Sequence, residues 1–101
     1  MKREAILNLD PMIHAPVRLA VLSLLATVEE AEFTFIKEST GATDGNLSTH
    51  LSKLEKAEYI LIGKRFRGKK PLTTCSLTEK GRQAFLSYME TLEKIVESQK
   101  K

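Results

Sequence analysis

The sequence has few of the residues that build disulfides, metal centres and catalytic sites. It contains one cysteine, Cys75, and two histidines, His14 and His50. A single cysteine excludes an internal disulfide, and alone it cannot form a zinc site of ordinary ligand number. No glycine-rich phosphate loop is present either, so a catalytic constellation has few possible members. We therefore expect no enzymatic activity, no metal and no cofactor.

Long apolar runs are also absent. None approaches the roughly 20 residues of a membrane span, so we expect no membrane partner. The start, "MKREAILNLDPMIHAP", has no sustained apolar stretch followed by a small-residue cleavage site, which argues against a secretory signal and for a cytoplasmic setting. No repeat, low-complexity segment or linker divides the 101 residues, so residues 1–101 are expected to form one domain.

The positive charge is concentrated in the middle of the chain. Residues 44–74 hold seven Lys or Arg and three Asp or Glu, an excess of +4, which leaves −1 for the rest of a chain whose net charge is +3. Such a patch is typical of a protein that binds a polyanion. The alternative interpretation is a solvated hairpin kept soluble by its lysines.

The stretch "TDGNLSTHLSKLEKAEYI" predicts an amphipathic helix. Leu47, Leu51 and Leu54 are spaced i, i+4, i+7 and form one apolar stripe. The opposite face carries small or basic residues, with Asn46 and Ser48 on its flanks: Gly45, Thr49, Ser52, Lys53 and Lys56. This helix, which we call the reading helix, is the third of the chain, with Thr43 or Asp44 as its N-cap.

Two other helices are predicted before it. Asp10 and Pro11 favour a short helical turn, and Pro16 then opens a first helix, "PVRLAVLSLLATVEE", on which Leu19 and Leu22 lie off the main apolar stripe. The stretch "EFTFIKEST" predicts a very short strand at Phe33 that continues as a second helix, which ends at Gly41.

A hairpin and a long helix complete the pattern. "YILIGKRF" and "LTTCSL", separated by the turn "RGKKP", predict a two-stranded hairpin with a basic tip. Thr78 is placed to cap a final helix. Along that helix the spacing of 3, 4, 3 and 4 residues is typical of a coiled coil and is made by Phe85, Tyr88, Leu92, Ile95 and Gln99.

The elements together resemble a known family. The segments "IHAPVRLAVLSLL", "TDGNLSTHLSKLEKAEYI" and "FRGKKPLTTCSLTEKGRQAF" resemble the small winged-helix regulators related to the multiple-antibiotic-resistance and arsenical-resistance repressors. The resemblance runs from about Leu9 to Leu92. It implies an α+β, mostly helical fold: a winged helix-turn-helix with a two-stranded β wing and a long C-terminal dimerisation helix.

The family pattern assigns roles to two segments. Residues 44–57 correspond to the helix that enters the DNA major groove, and residues 64–70 to the wing, which lies along the backbone or minor groove. Two features depart from the pattern. Glu58 stands where relatives usually have a glycine in the left-handed conformation, and the paired cysteines of metal-responsive relatives are absent.

The chemistry of the residues supports the same roles. Short polar side chains let a helix approach base edges, and lysines reach phosphates. The predicted DNA-binding residues are Asn46, Ser48, Thr49, Ser52, Lys53, Lys56, Arg65, Arg67, Lys69 and Lys70. The predicted dimer interface, based on surplus apolar surface, consists of Leu19, Leu22, Phe85, Tyr88, Leu92 and Ile95. For Asn46 two interpretations are open: a bidentate contact with adenine, or a helix-start residue that bonds its own backbone.

Four other residues each allow two interpretations. His50 would either donate to a phosphate or bridge to the second helix, and we favour the bridge. His14 is interpreted as a packing or capping residue and Cys75 as a small core residue, in preference to ligand, base or redox roles. Phe66 would either stack on a nucleotide or pack under the wing, and we favour packing.

We therefore predict a homodimeric transcriptional regulator that binds a palindromic operator in double-stranded DNA. The main alternative is a winged-helix protein-interaction module without specific DNA binding, in which the basic tip meets an acidic patch on a partner. A nucleic-acid enzyme ranks third.

Overall fold

In the computed structural model, which describes residues 7–100, four helices surround a three-stranded antiparallel sheet. In chain order the elements are α1 (Pro16–Leu25), β1 (Ala31–Glu32), α2 (Phe33–Thr40), α3 (Asp44–Lys56), β2 (Ile60–Arg67), β3 (Lys70–Leu77) and α4 (Glu79–Ser98). The predicted α+β winged helix is confirmed, and α3 is the reading helix.

The predicted helical turn before α1 is present. The carboxylate of Asp10 accepts a hydrogen bond from the Met12 N–H at 2.9 Å, and the Asp10 carbonyl accepts from the His14 N–H at 2.8 Å. Pro16 then opens α1 after an extended Ala15, as expected of a residue that precedes proline.

The turn between α2 and α3 is fixed at three points. Gly41 ends α2 in the left-handed conformation at φ 73°, and Thr43 begins α3 by accepting a hydrogen bond from the Asn46 N–H at 3.2 Å. The role of Gly41 was predicted, and of the two predicted caps, Thr43 and Asp44, the structure has Thr43. An ion pair of 2.8 Å between Lys37 and Asp44 adds a link between the two helices. These contacts set the angle at which α3 leaves α2.

The sheet has three strands, whereas the wing was predicted to have two, because the short first strand joins the hairpin. Its order is β1-β3-β2, with Ala31 opposite Cys75 and Cys75 opposite Ile62. The short first strand was expected at Phe33, but it occupies Ala31–Glu32, and helix α2 already begins at Phe33. Its two residues pair with the inner half of β3, so the outer half of the hairpin is a two-stranded ribbon.

Helix α4 begins next to the turn that joins α3 to β2. The Thr78 hydroxyl accepts from the Gly81 N–H at 2.9 Å, which confirms Thr78 as the cap. Gly81 lies so close to the preceding turn that an added Cβ would overlap the Tyr59 carbonyl oxygen and stand 2.8 Å from its carbon. Glycine is therefore required at the start of α4.

The core lies between the helices and the inner sheet face. It contains the stripe Leu47, Leu51 and Leu54 of α3, Ile60 and Cys75 of the sheet, and residues of α1. The buried α1 residues are Val21, Leu22 and Leu25. All three leucines of α3 are at most 2% exposed, so the back of the reading helix is held rigidly by packing.

Candidate nucleic-acid interface

Helix α3 turns a complete polar face to solvent. All six residues of this helix that were predicted to bind DNA are exposed. They are Asn46, Ser48, Thr49, Ser52, Lys53 and Lys56. The burial of the leucine stripe behind them means that this face cannot rotate away from solvent.

The first half of this face offers free hydrogen-bonding groups. Within residues 7–100 the Asn46 side chain makes no hydrogen bond, so the interpretation that it bonds its own backbone finds no support. The Thr49 hydroxyl donates to the Gly45 carbonyl at 3.0 Å, which leaves its oxygen lone pairs and methyl group outward. An added Cβ on Gly45 would contact nothing within 4 Å, so packing does not require glycine there. The missing side chain leaves room for a ligand close to the helix backbone.

The wing, residues 64–70, is the exposed outer part of the hairpin. Arg67 pairs with Lys70, so Gly68 and Lys69 form a two-residue loop, with Gly68 at φ 63° as such tight turns require. Phe66 is 71% exposed, so the favoured interpretation that it packs under the wing is wrong. The reason is that the hairpin extends beyond the core here, where residues 64–70 are all exposed.

Two wing arginines are held by carboxylates next to β1. Arg65 binds Glu30 at 2.7 Å and Arg67 binds Glu32 at 3.0 Å. Among the described residues, Lys64, Lys69 and Lys70 make no ion pair. The wing therefore presents three lysines without an ion pair. Arg65 and Arg67 would each have to leave a carboxylate before binding a phosphate.

His50 bridges to a neighbouring helix, but to α1 and not to α2 as predicted. An Arg18 N–H donates to His50 Nδ1 at 3.0 Å. The difference arises because the flank of α3 that carries His50 faces the first turn of α1. Burial, and then the charges of Arg18 and Lys53, lower the pKa of His50 below its usual value of 6.5.

The end of α3 keeps the left-handed conformation without a glycine. Glu58 has φ 64° and is the one non-glycine residue with positive φ in the part of the chain that the structure describes. The Thr78 hydroxyl donates to its carbonyl at 2.7 Å, and the Thr78 N–H donates to the Tyr59 carbonyl at 3.0 Å. The helix thus ends in the left-handed conformation that the family pattern implies, at some cost in backbone strain.

Tyr59, Cys75 and His14 have structural surroundings. The Tyr59 hydroxyl donates to the Asp10 carboxylate, and burial together with this bond raises the pKa of Tyr59 to about 12. Cys75 is 1% exposed, and burial followed by the charge of Glu55 raises the pKa of its thiol to about 11. His14 Nδ1 lies 2.8 Å from the Tyr88 hydroxyl, in agreement with a packing role.

The predicted dimer residues divide into two groups. Leu22 is fully buried and Tyr88 is 4% exposed, so both belong to the core of their own chain and offer no area to a partner. Tyr88 was selected by the coiled-coil spacing and Leu22 as surplus apolar surface, and neither signal tells a contact within the chain from a contact with a partner. The other four are half-buried: Leu19, Phe85, Leu92 and Ile95.

Helix α4 has a second apolar stripe that the sequence analysis missed. Leu86, Met89 and Val96 are 48%, 40% and 49% exposed and repeat at helical spacing, displaced by one residue from the predicted stripe. A count of all apolar residues next to the heptad positions of this helix could have found them. A separate apolar cavity of about 300 Å³ lies between α1 and α4 and is lined by Pro16, Leu19 and Tyr88, among others.

Other kinds of site are not seen in residues 7–100. No group of three or more His, Cys, Asp or Glu residues in this range could hold a metal ion. In the same range no helix combines the length and apolarity needed to cross a membrane.

The matched family model identifies the class of protein. The chain belongs to the winged helix DNA-binding domain family, whose model matches residues 17–96. An uncharacterized protein of Methanocaldococcus jannaschii is 37% identical over 78 residues, which cover 77% of this chain and 85% of that protein.

Solved structures share the fold over most of the chain. A transcriptional regulator homologue from Pyrococcus horikoshii OT3 superposes with a TM-score of 0.90 at 22% identity and covers 97% of this chain and 99% of that one. A MarR family regulator from Silicibacter pomeroyi superposes with a TM-score of 0.66 at 12% identity, and the match covers 81% of this chain and 54% of that one. An ArsR family regulator superposes with a TM-score of 0.58 at 18% identity, and the match covers 97% of this chain and 96% of that one. The predicted resemblance to these families is confirmed at the level of fold.

Proposed function

We propose that this protein is a homodimeric transcriptional regulator, with residues 1–101 as one winged-helix DNA-binding domain that recognises a palindromic operator in double-stranded DNA in the cytoplasm. One observation carries the proposal: α3 holds an uninterrupted exposed face of short polar and basic side chains over a fully buried leucine stripe. A helix of this kind fits the major groove of B-DNA, which admits one helix.

Base recognition is assigned to the first half of α3. The unbonded amide of Asn46 can pair bidentately with adenine, and the Thr49 methyl can contact thymine. Ser48 and Ser52 supply shorter hydroxyl contacts. The absence of a side chain at Gly45 lets the helix approach the DNA closely.

Backbone contacts are assigned to the basic residues. Lys53 and Lys56, in the last turns of α3, reach phosphates on one side of the groove. Lys69 and Lys70 at the wing tip do the same on the other side, joined by Arg65 and Arg67 once these leave their carboxylates. Contacts of this type raise affinity for every sequence alike.

The dimer is assigned to α4 with help from α1. The exposed stripe Leu86, Met89 and Val96 adjoins the half-buried Phe85, Leu92 and Ile95, and an exposed apolar strip of this length on a small domain favours self-association. Two-fold symmetry would present two reading helices to successive major grooves, roughly 34 Å apart.

The DNA assignment is tested by selecting bound sequences from a random duplex pool and measuring variants on the selected operator and a scrambled duplex. Asn46→Ala and Thr49→Ala should each lose about 1–3 kcal/mol on the operator and little on the scrambled duplex. Lys53→Ala is the matched control on the same helix and should weaken both duplexes by similar factors. If operator preference survives both alanine variants, α3 is not the reader.

A second experiment separates the main alternative. Salt-dependent retention on immobilised DNA is expected of a protein that contacts phosphates, because affinity falls steeply as salt rises. If the protein passes through at low salt, a protein-interaction module replaces the DNA-binding proposal.

The dimer is tested by sedimentation at micromolar concentration, where the wild type should have twice the chain mass. Met89→Glu should produce monomers because it places a charge in the exposed apolar stripe, whereas Ser87→Glu, on the solvated face of the same helix, should not. A monomeric wild type that binds a single site tightly would overturn this part of the proposal.

A further inference from the structure

A single arginine connects the reading helix to the N-terminal turn. Arg18 Nε donates to the Met12 carbonyl at 2.6 Å, and Nη2 donates to the Pro11 carbonyl at 3.4 Å. The third contact runs from Nη1 to His50 Nδ1 at 3.0 Å. One half-buried guanidinium thus holds two backbone carbonyls and one side chain of α3 in a fixed relation.

This contact decides which nitrogen of His50 carries the proton. A guanidinium remains charged and has donors only, so His50 Nδ1 must accept. The proton of the neutral ring is then on Nε2. The lowered pKa of His50, caused by burial and by the charges of Arg18 and Lys53, keeps the ring in this neutral form. His50 is therefore an Nε2–H donor with one tautomer.

The Nε2 atom is not fully buried. His50 is half-buried, its Nδ1 makes the hydrogen bond to Arg18, and no buried side-chain nitrogen or oxygen in residues 7–100 lacks a partner. An Nε2 atom without a protein partner must therefore be accessible. His50 follows Asn46 by four residues and precedes Lys53 by three, so the three side chains share one flank of α3.

We propose that His50 is a DNA-backbone contact that donates its Nε2–H to a phosphate oxygen, and that Arg18 is the positioning residue that holds the imidazole for this bond. The inference rests on the proposed entry of α3 into the major groove. The flank of a helix in that groove faces the groove wall, where the phosphates lie. Because the ring is already fixed before DNA arrives, little ordering is needed on binding.

The contact is tested by NMR on the full chain labelled with ¹⁵N-histidine. In the free protein His50 should show the Nε2–H tautomer, and saturation with operator duplex should shift its Nε2 resonance. His14, which bonds Tyr88 of α4, is an internal control whose nitrogen resonances should stay in place. If the His50 Nε2 resonance does not move on duplex binding, the proposed contact is overturned.

Two substitutions of His50 separate its two nitrogens. His50→Asn keeps an acceptor near the Nδ1 position for Arg18 but has no donor that reaches the Nε2 position. It should bind operator and scrambled duplexes about tenfold more weakly, since one hydrogen bond to a charged group is lost. His50→Gln keeps a donor at the outer position and should bind more tightly than His50→Asn. Equal affinity of His50→Asn and wild type would overturn the contact.

The positioning role is tested with Arg18→Lys, which keeps the charge but cannot make the three contacts together. It should show a mixture of His50 tautomers and weaker binding to both duplexes. A single Nε2–H tautomer with wild-type affinity would overturn the role of Arg18. Since the NMR titration uses the wild-type protein, the contact stays testable even if a variant does not fold.

The results also separate this inference from the proposed function. A wild type that binds no duplex overturns the DNA-binding function itself. A wild type that binds its operator, with an unshifted His50 resonance and an unaffected His50→Asn variant, overturns only the role of His50.

Discussion

Removal of the carboxylates that hold the wing arginines should strengthen DNA binding. Glu30→Gln and Glu32→Gln each free one guanidinium, Arg65 or Arg67, while nearly keeping the shape of the acidic side chain. In the wild type each ion pair must break before its arginine can bind a phosphate. The double variant should therefore bind every duplex more tightly, whatever its sequence.

The size of the effect follows from the exposure of the pairs. The side chains of Arg65 and Arg67 are 67% and 73% exposed, and those of Glu30 and Glu32 are 36% and 34% exposed. Ion pairs this close to water contribute about 0.2–1 kcal/mol each. Two pairs together correspond to roughly 2- to 30-fold tighter binding at low salt. The gain should shrink as salt screens the charges.

Fluorescence anisotropy with one duplex at several salt concentrations measures this gain. Glu29→Gln is the matched control, because Glu29 is exposed and makes no ion pair in the described range of 7–100. A second comparison measures the effect of Glu32→Gln in the Arg67→Gln variant. No gain in DNA affinity should remain there, because Glu32 then has no arginine to release. Equal gains in both backgrounds would reveal a general charge effect, and weaker binding would mean that the pairs brace the wing. Either result refutes the reasoning.

Three further predictions concern stability. Glu58→Gly should raise the free energy of unfolding by up to about 1 kcal/mol, because it removes the strain of a left-handed non-glycine residue. The greater entropy of glycine in the unfolded chain offsets only part of this gain. An unchanged urea midpoint would contradict the prediction. Gly81→Ala should lower the same quantity by at least about 1–3 kcal/mol, because its Cβ would overlap the Tyr59 carbonyl, and thermal unfolding measures the loss. The pKa of Tyr59 is raised from 10.0 to about 12 in the folded state, so its contribution is present below pH 10 and lost as pH rises from 10 to 12; Tyr59→Phe should lack this part of the alkaline decline in urea unfolding.

Sequence reasoning succeeded where a pattern is local and long. The 13-residue helix α3 shows its leucine stripe and its polar face directly in the order of residues, and its cap to within one residue, Thr43 or Asp44. The hairpin is equally visible, because two β-rich runs flank a glycine turn. In both cases the physical cause, side-chain periodicity or turn chemistry, acts between residues close in the chain.

The errors arose where distant residues meet. Strand β1 has two residues, too few to show alternation, and it exists because it pairs with β3. Leu22 lies off the main apolar stripe and Tyr88 repeats at coiled-coil spacing, as interface residues would, yet both are buried within their own chain. The bond from His50 to Arg18 spans 32 residues, and periodicity contains no information about it.

Thr78 gives the molecule a mechanical property. Its hydroxyl and N–H bind the carbonyls of Glu58 and Tyr59, and the same hydroxyl accepts from Gly81, so the exit of α3 and the entry of α4 are fastened at one residue. Because Gly81 also packs tightly against the Tyr59 carbonyl, α3 and α4 are held in a fixed relative orientation. In the proposed dimer, α3 would therefore move together with α4 as one rigid unit joined at Thr78. A change in the crossing angle of the two α4 helices would then change the separation of the two reading helices. If the proposed dimer binds two half-sites, α4 would set the distance between them, although none of the proposed DNA contacts lies on α4.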